Sequence, residues 1–557
     1  MLPKTRKKVF SIFGVIFVLG LVVTLVTQID KVRQLFSRAN QNSQAPLNGT
    51  YLYLETLNEN NIPLIMSELE SLKMDTVITT AIVGKAVPKG STGEACRGGY
   101  YYVSKLDKEV EKVRKFLDSA QSHNIKIYFG LIGSMRNCSD WYKNDILVDQ
   151  DAEQTIKTLR WIKTNFPDHP AIAGWSIFNE AWLGYEADTD DLESFNNYYK
   201  KQVVAIRTES DLPIVTAPTL STFDSNGNTV TPDIIAKKAD YLLERTGVDI
   251  LIFQDGLGAV STPLKPWSQP YTLKDYLDTI AKKIGSNRLW ADIELFTYPT
   301  GKSDNGGGNT SASISRISTQ INETQAASKR VVWIQQSFMS TTNNDLLKDP
   351  NGAQRLLDTY RAVYRNEGGK ITPQQYTWVT QPNSKYPDTG NKLFDELPGD
   401  PKLRAFAQWV GINGPAEIVF TFSKKMPIWW VSFHVLHNQA LSIAFPNSLS
   451  LFCSQDQTRW ESLGTWNLPV NKLDSEYVFS NSSKLTTSCQ YLKARLENPV
   501  WTFVSEVEIV GPSISDSFPT PQSTPNVINK SGCDVLIQLC RKQGSMMCEM
   551  AKARGCL

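Results

Sequence analysis

The sequence predicts an α/β fold: a (β/α)8 barrel followed by an all-β sandwich, with a transmembrane helix before the barrel and a cysteine-rich hairpin after the sandwich. Three observations carry it. Between Gly49 and about Arg365, short β-rich apolar runs alternate eight times with amphipathic stretches at helical spacing, the pattern of βαβ units around a parallel sheet. From about Thr372 helical periodicity stops and short alternating strands take over. At the N-terminus Lys4, Arg6, Lys7 and Lys8 precede an uncharged run from Val9 to Ile29.

Taken in order, residues 1–8 form a basic tail that should stay cytoplasmic. Residues 9–29 can cross a hydrocarbon core of about 30 Å at about 1.5 Å per residue. No small-x-small cleavage site closes the run, so it reads as an uncleaved signal-anchor rather than a removed signal peptide. Everything after about Asp30 then lies outside the cytosol, residues 30–48 being a linker. Sequons at Asn48, Asn137, Asn309, Asn322, Asn481 and Asn529 agree with a glycoprotein in that compartment.

The barrel, residues 49–366, takes its strands as Thr50–Leu54, Thr76–Val83, Lys126–Ile132, Ala173–Phe178, Ile214–Ala217, Ile250–Phe253, Leu289–Ile293 and Val331–Gln335. The helices between them read Ile62–Lys73, Lys105–Ser122, Ala152–Asn165, Asp191–Thr208, Pro232–Arg245, Leu273–Ile284, Ala312–Ser328 and Gly352–Arg365. This fits a TIM barrel with long loops. A doubly wound open sheet is the alternative, but no GxGxxG follows the first strand. Residues 372–511 form the sandwich, with strands at Ala416–Phe422, Val431–Leu436, Ser450–Cys453, Tyr491–Leu496 and Phe503–Val510. A Ser/Thr/Pro-rich linker, residues 512–530, leads to the hairpin at 531–557.

Charge and cysteines narrow the function. The 58 basic and 56 acidic residues nearly cancel, and no basic stretch of the soluble part is interleaved with aromatics, which argues against nucleic acid as a partner. Cys533, Cys540, Cys548 and Cys556 suit two disulfides in a helical hairpin better than zinc, since no CxxC or nearby His accompanies them. Cys453 and Cys489 can bridge two strands of one domain, and Cys96 and Cys138 two loops; the connectivity stays open. No metal or cofactor is implied: the four His are scattered, and no GxSxG elbow offers a serine nucleophile.

A barrel builds its active site at the C-terminal ends of its strands, and acids and aromatics stand there. The first strand ends at Glu55, and the fourth at Asn179, Glu180 and Trp182. The sixth ends at Gln254 and Asp255, the seventh at Asp292 and Glu294, and the eighth offers Trp333 and Gln335. Cleaving a glycosidic bond needs one carboxylic acid and one carboxylate across the sugar. Strands four and seven lie on opposite sides of the mouth, so Glu180 and Glu294 are the candidate catalytic pair, with Asn179, Trp182, Glu55, Gln254, Asp255, Asp292, Trp333 and Gln335 as candidate substrate contacts. The bland reading of such acids is capping or rim ion pairs, and of such tryptophans, packing.

Two resemblances add to this reading. Asn-Glu after strand four with Glu after strand seven resembles the large retaining clan of glycoside hydrolase barrels. That likeness implies Glu180 as acid/base, Glu294 as nucleophile and Asn179 on the sugar 2-hydroxyl, with carboxylates about 5–5.5 Å apart rather than the roughly 6.5–9.5 Å of inverting enzymes. The ordered motifs "IYFGL", "HPAIAGWSIFNEAW", "VDILIFQDGLGA" and "RLWADIELF" resemble more closely an uncharacterised family of glycosidase-like TIM barrels known only as a domain of unknown function. That family keeps the Gly-Trp, here Gly174 and Trp175, and the Glu, here Glu180; Asn179 departs from its usual apolar residue. The segments "TWVTQPNSKYPDTGNKLFDELPGD", "WVGINGPAEIVFTF", "LFCSQDQTRWESLG" and "CQYLKARLENPVWTFVSEVEIVG" resemble discoidin-like (factor 5/8 type C, galactose-binding-like) jelly rolls, which implies a sugar-binding module or a packing partner.

The expectation is a membrane-anchored, extracytoplasmic retaining glycosidase acting on an extracellular or cell-surface polysaccharide. The alternative is a non-catalytic glycan-binding or scaffold protein with a degenerate barrel.

Overall fold

The computed structural model describes residues 46–54, 57–84, 109–133, 145–177, 189–220, 222, 229–258, 271–297, 310–342, 349–365, 367–389, 391–395, 399, 408–468 and 475–512. The expected membrane span, cysteine hairpin and Cys96–Cys138 pair lie outside them. Among the described residues no helix is long and apolar enough to cross a membrane.

Eight parallel strands close the barrel: β1 (Gly49–Leu52), β2 (Thr76–Gly84), β3 (Lys126–Gly133), β4 (Ile172–Ile177), β5 (Ile214–Thr216), β6 (Ile250–Gln254), β7 (Leu289–Glu294) and β8 (Lys329–Trp333). The ring is shut by Gly49 pairing with both Val331 and Thr76. Around it lie α1 (Ile62–Ser71), α2 (Val110–Ser122), α3 (Asp145–Asn165), α4 (Thr189–Arg207), α5 (Pro232–Thr246), α6 (Leu273–Ile284), α7 (Ile314–Glu323) and α8 (Pro350–Tyr364). Their starts follow local chemistry. Thr272 and Asp275 form a capping box on α6, Ser313 accepts from the Arg316 N–H to cap α7, and Asp349 accepts from the Gly352 N–H before Pro350 on α8.

Alternation along each strand divides its side chains between two cores. On β7, Leu289, Ala291 and Ile293 pack against the helices, whereas Trp290 belongs to the interior cluster with Tyr51, Ile78, Val215, Ile252 and Val331. Interior space is set partly by Gly174, where a Cβ would lie 2.5 Å from the Tyr128 ring and from the Pro213 carbonyl. Its neighbour Trp175 faces outward and donates from Nε1 to Ser210 Oγ at 2.8 Å.

Boundaries differ from the expected ones where local chemistry overrides pattern. Strand eight ends at Trp333 because Ile334 adopts a left-handed conformation (φ 50°) and starts a helical turn, Gln335–Phe338. Helix α3 begins seven residues early, at Asp145, and α7 is shorter than the apolar pattern around it.

The sandwich comprises β9 (Gly369–Lys370), β10 (Gln375–Trp378), β11 (Val410–Asn413), β12 (Ala416–Ile428), β13 (Trp430–His437), β14 (Ser448–Ser454), β15 (Glu461–Asn467), β16 (Ser475–Ser480), β17 (Thr487–Glu497) and β18 (Trp501–Gly511). One sheet runs β9-β18-β13-β16, with β11 also on β18; the other runs β10-β12-β17-β14-β15. Cys453 on β14 and Cys489 on β17 form a disulfide, as the strand-bridging option expected. Asn481 is the wrong kind of site for a glycan: it is buried, accepting from the Val431 N–H and donating to the Trp429 and Ser483 carbonyls.

The two domains are fused. Strand β9, which starts the sandwich earlier than Thr372, follows α8 almost directly and pairs with β18. Ala362 of α8 packs with Trp430 and Val510, and Trp430 Nε1 donates to Asp358 of α8 at 3.2 Å.

Candidate active site

The carboxylates of β7 follow its alternation. Continuing from Trp290, Asp292 and Glu294 fall on the interior face at the C-terminal end of the strand. Glu294 is 8% exposed and Asp292 1%. A backbone amide orients the first: the Gly258 N–H donates to Glu294 Oε2 at 2.6 Å. Only glycine permits this approach, since a Cβ at position 258 would stand 2.1 Å from the Phe296 carbonyl oxygen and 2.9 Å from Glu294 Cβ.

The surroundings of Asp292 disfavour its charged form. Burial, then the nearby Glu294 and Asp255 charges, push its carboxyl well above the ordinary range. Its Oδ1 is buried with no hydrogen-bond partner among the described residues. Burial, and to a lesser degree the neighbouring Asp292, likewise raise the Tyr51 phenol. Trp333, half-buried, stands in register with Glu294 on the adjacent strand, 4.9 Å from the Tyr51 ring and edge-on to Tyr53 at 6.2 Å. The strained backbone of the β-branched Ile334 directly after it is the kind of conformation that persists where surrounding structure enforces it.

Two expected substrate contacts have their side chains engaged elsewhere. Asp255 follows Gln254 and so points to the helix side of β6. It is 1% exposed and accepts from the Leu257 N–H at 3.1 Å and from Gln320 Nε2 of α7. Gln335 is fully buried in the turn after β8, where its Nε2 donates to Glu68 of α1 at 2.7 Å. Gln254 does face the interior, 9% exposed, with Nε2 3.4 Å from the Ala217 carbonyl. Glu55, Asn179, Glu180 and Trp182 lie outside the described residues.

Sequence reasoning passed over Gly258, Tyr51 and Gln320. The first had a signal in "QDGLGA", a glycine pair just after a strand, and the second in the alternation of "TYLY". Gln320 is reached only through the register of α7 on β6, which no local pattern encodes.

Residues 49–345 match the family model described as a domain of unknown function, DUF4434, which covers more than half of the chain. The chain belongs to the DUF4434 family. None of the curated proteins matches it. Among solved structures, one of a candidate alpha-L-fucosidase from Bacteroides thetaiotaomicron is 18% identical, covering 58% of this chain and 97% of its own, with a TM-score of 0.41. A glycoside hydrolase family 5 protein from Bacteroides vulgatus is 11% identical over 81% of this chain and 89% of its own, with a TM-score of 0.37. A carbohydrate-binding module from a family 31 glycoside hydrolase of Clostridium perfringens is 15% identical over 26% of this chain and 94% of its own, with a TM-score of 0.18.

Proposed function

We propose that this DUF4434 chain is a retaining glycoside hydrolase of an extracellular or cell-surface polysaccharide, with Glu294 as nucleophile and Glu180 as acid/base. The observation that carries the reading is Glu294 itself: a carboxylate on the interior face at the C-terminal end of a barrel strand, oriented by a backbone amide at 2.6 Å. An N–H donated to a carboxylate stabilises its ionised form. Burial disfavours a charge on Asp292 beside it, which lessens like-charge repulsion on Glu294. Attack of Glu294 on the anomeric carbon forms a covalent glycosyl-enzyme as Glu180 protonates the departing oxygen; Glu180 then takes a proton from the water that releases the sugar. Asn179 would bind the 2-hydroxyl, and Trp333 would supply a platform beside Glu294. Residues 9–29 would anchor the chain with both domains outside the cytosol.

The test is a screen of the chain from about Gln41 against aryl glycosides and polysaccharides, with Glu180→Gln and Glu294→Gln. Turnover by the parent, lost in both variants, supports the assignment; activity that survives both changes refutes it. The alternative is a barrel that binds glycan without cleaving it, and saturable polysaccharide binding with no turnover would select it.

A further inference from the structure

The frame of Glu294 is built from three parts of the chain, one of them in the sandwich. After β7, Phe296–Thr297 pairs with Thr310–Ser311, and the Ala312 N–H donates to the Leu295 carbonyl at 2.8 Å, so α7 starts beside the strand that carries Glu294. The Ser315 N–H, in the first turn of α7, donates to Glu508 Oε1 of sandwich strand β18 at 2.8 Å. Glu508 is 3% exposed. A buried carboxylate on free N–H groups at a helix N-terminus seats that terminus both by hydrogen bond and by dipole. Lys370 of β9 adds a bond from Nζ to Ser315 Oγ at 3.1 Å.

Helix α7 transmits that seating inward. Arg316 donates to the Phe296 carbonyl at 2.7 Å and to Gln320 Oε1 at 3.2 Å, which fixes the Gln320 amide with Nε2 on Asp255. Asp255 in turn accepts from the Leu257 N–H at 3.1 Å, one residue before Gly258. It thereby shapes the turn whose Gly258 N–H grips the Glu294 carboxylate.

We propose that the sandwich is a working part of the barrel's carboxylate site: Glu508 seats α7, Gln320 of α7 holds Asp255, and Asp255 holds Glu294 in place. Asp255, Gln320 and Glu508 are positioning residues. The consequence for turnover rests on the glycosidase reading; the mechanical coupling does not.

The full chain tests it with Glu508→Gln, Asp255→Asn and, as a control, Glu461→Gln on an exposed sandwich edge. Hydrogen exchange at Leu257 and Gly258 should quicken about tenfold in Glu508→Gln, while β2 and β3 and the control stay at parent rates. On an aryl glycoside that the parent hydrolyses, kcat should fall about tenfold in Glu508→Gln and about a hundredfold in Asp255→Asn, with KM within about twofold. Parent-like exchange at Leu257 and Gly258 in folded Glu508→Gln overturns the proposal. So does a uniform rise across the barrel, which is lost stability rather than lost positioning. If Glu508→Gln does not fold, Gln320→Met cuts the same path within the barrel and should show the same local change. If the parent cleaves no glycoside, the enzyme reading fails and exchange alone decides the coupling.

Discussion

At the scale of single residues, the buried acids make a pH prediction whose sign is fixed by their surroundings. Burial raises Asp255 from 3.8 to about 6, although the Leu257 and Gln320 bonds and the Arg316 charge pull it down. Burial, with Asp255 and Asp275 nearby, raises Glu323 of α7 from 4.5 to about 7. Each binds its proton more tightly folded than unfolded. Their stabilising contribution is therefore complete below about pH 4 and is lost as pH rises towards 7. For Asp255, roughly two pH units correspond to about 3 kcal/mol. The free energy of unfolding of the parent minus that of Asp255→Asn, by denaturant titration, should fall by that order between about pH 4 and pH 8. A difference flat across that window would exclude a proton on Asp255. Legibility ends at a related point. The interior placement of Asp292 and Glu294 could be read from alternation through Trp290, and the same rule, applied one residue past Gln254, turns Asp255 away from the cleft. Treating every acid near a strand end as cleft-facing missed that parity. Gln335 failed for another reason: a β-branched residue at φ 50° ends β8 early, and apolar periodicity gives no sign of it.

At the scale of elements, the eight βα units were legible because each strand is an apolar run and each helix has its own period. The sandwich was legible only in its long strands. Short edge strands such as β9 and β10, and the exposed β15, carry little apolar contrast, so the tertiary partner rather than the sequence decides them. The disulfide between β14 and β17 yields the element-scale prediction. These adjacent strands register Cys453 against Leu492 and Ser454 against Tyr491, and Cys489 is buried in the sandwich core, so the crosslink constrains a closed segment of 36 residues without leaving the sheet. Closing a loop of that length stabilises by about 2–4 kcal/mol through loss of unfolded-state freedom. Replacing both cysteines by alanine should lower the unfolding free energy by that amount and remove the reductant sensitivity that this crosslink contributes. An unchanged denaturation midpoint under reducing conditions would show that the crosslink does not form in solution.

At the scale of the whole molecule, the question is whether barrel and sandwich are separable modules. Sequence patterning divides them at a change of period near Thr372. The boundary is crossed by groups that are costly to bury alone. Glu508 reaches across to the first turn of α7, and Asp358 of α8 takes the Trp430 indole N–H. Ala362 lies under Trp430 and Val510. Splitting the domains would leave Glu508 without its helix and Trp430 without its cover, so neither half has a completed surface of its own. Two domains that share buried partners should unfold together. Calorimetry of the full described unit, beginning at about Pro46, should therefore show one transition whose calorimetric and van't Hoff enthalpies agree. A barrel ending at residue 366 should melt well below it or fail to stay soluble. Two resolved transitions, or a truncated barrel with the parent's melting temperature, would mean that the interface is only a contact and that Glu508 has nothing to transmit.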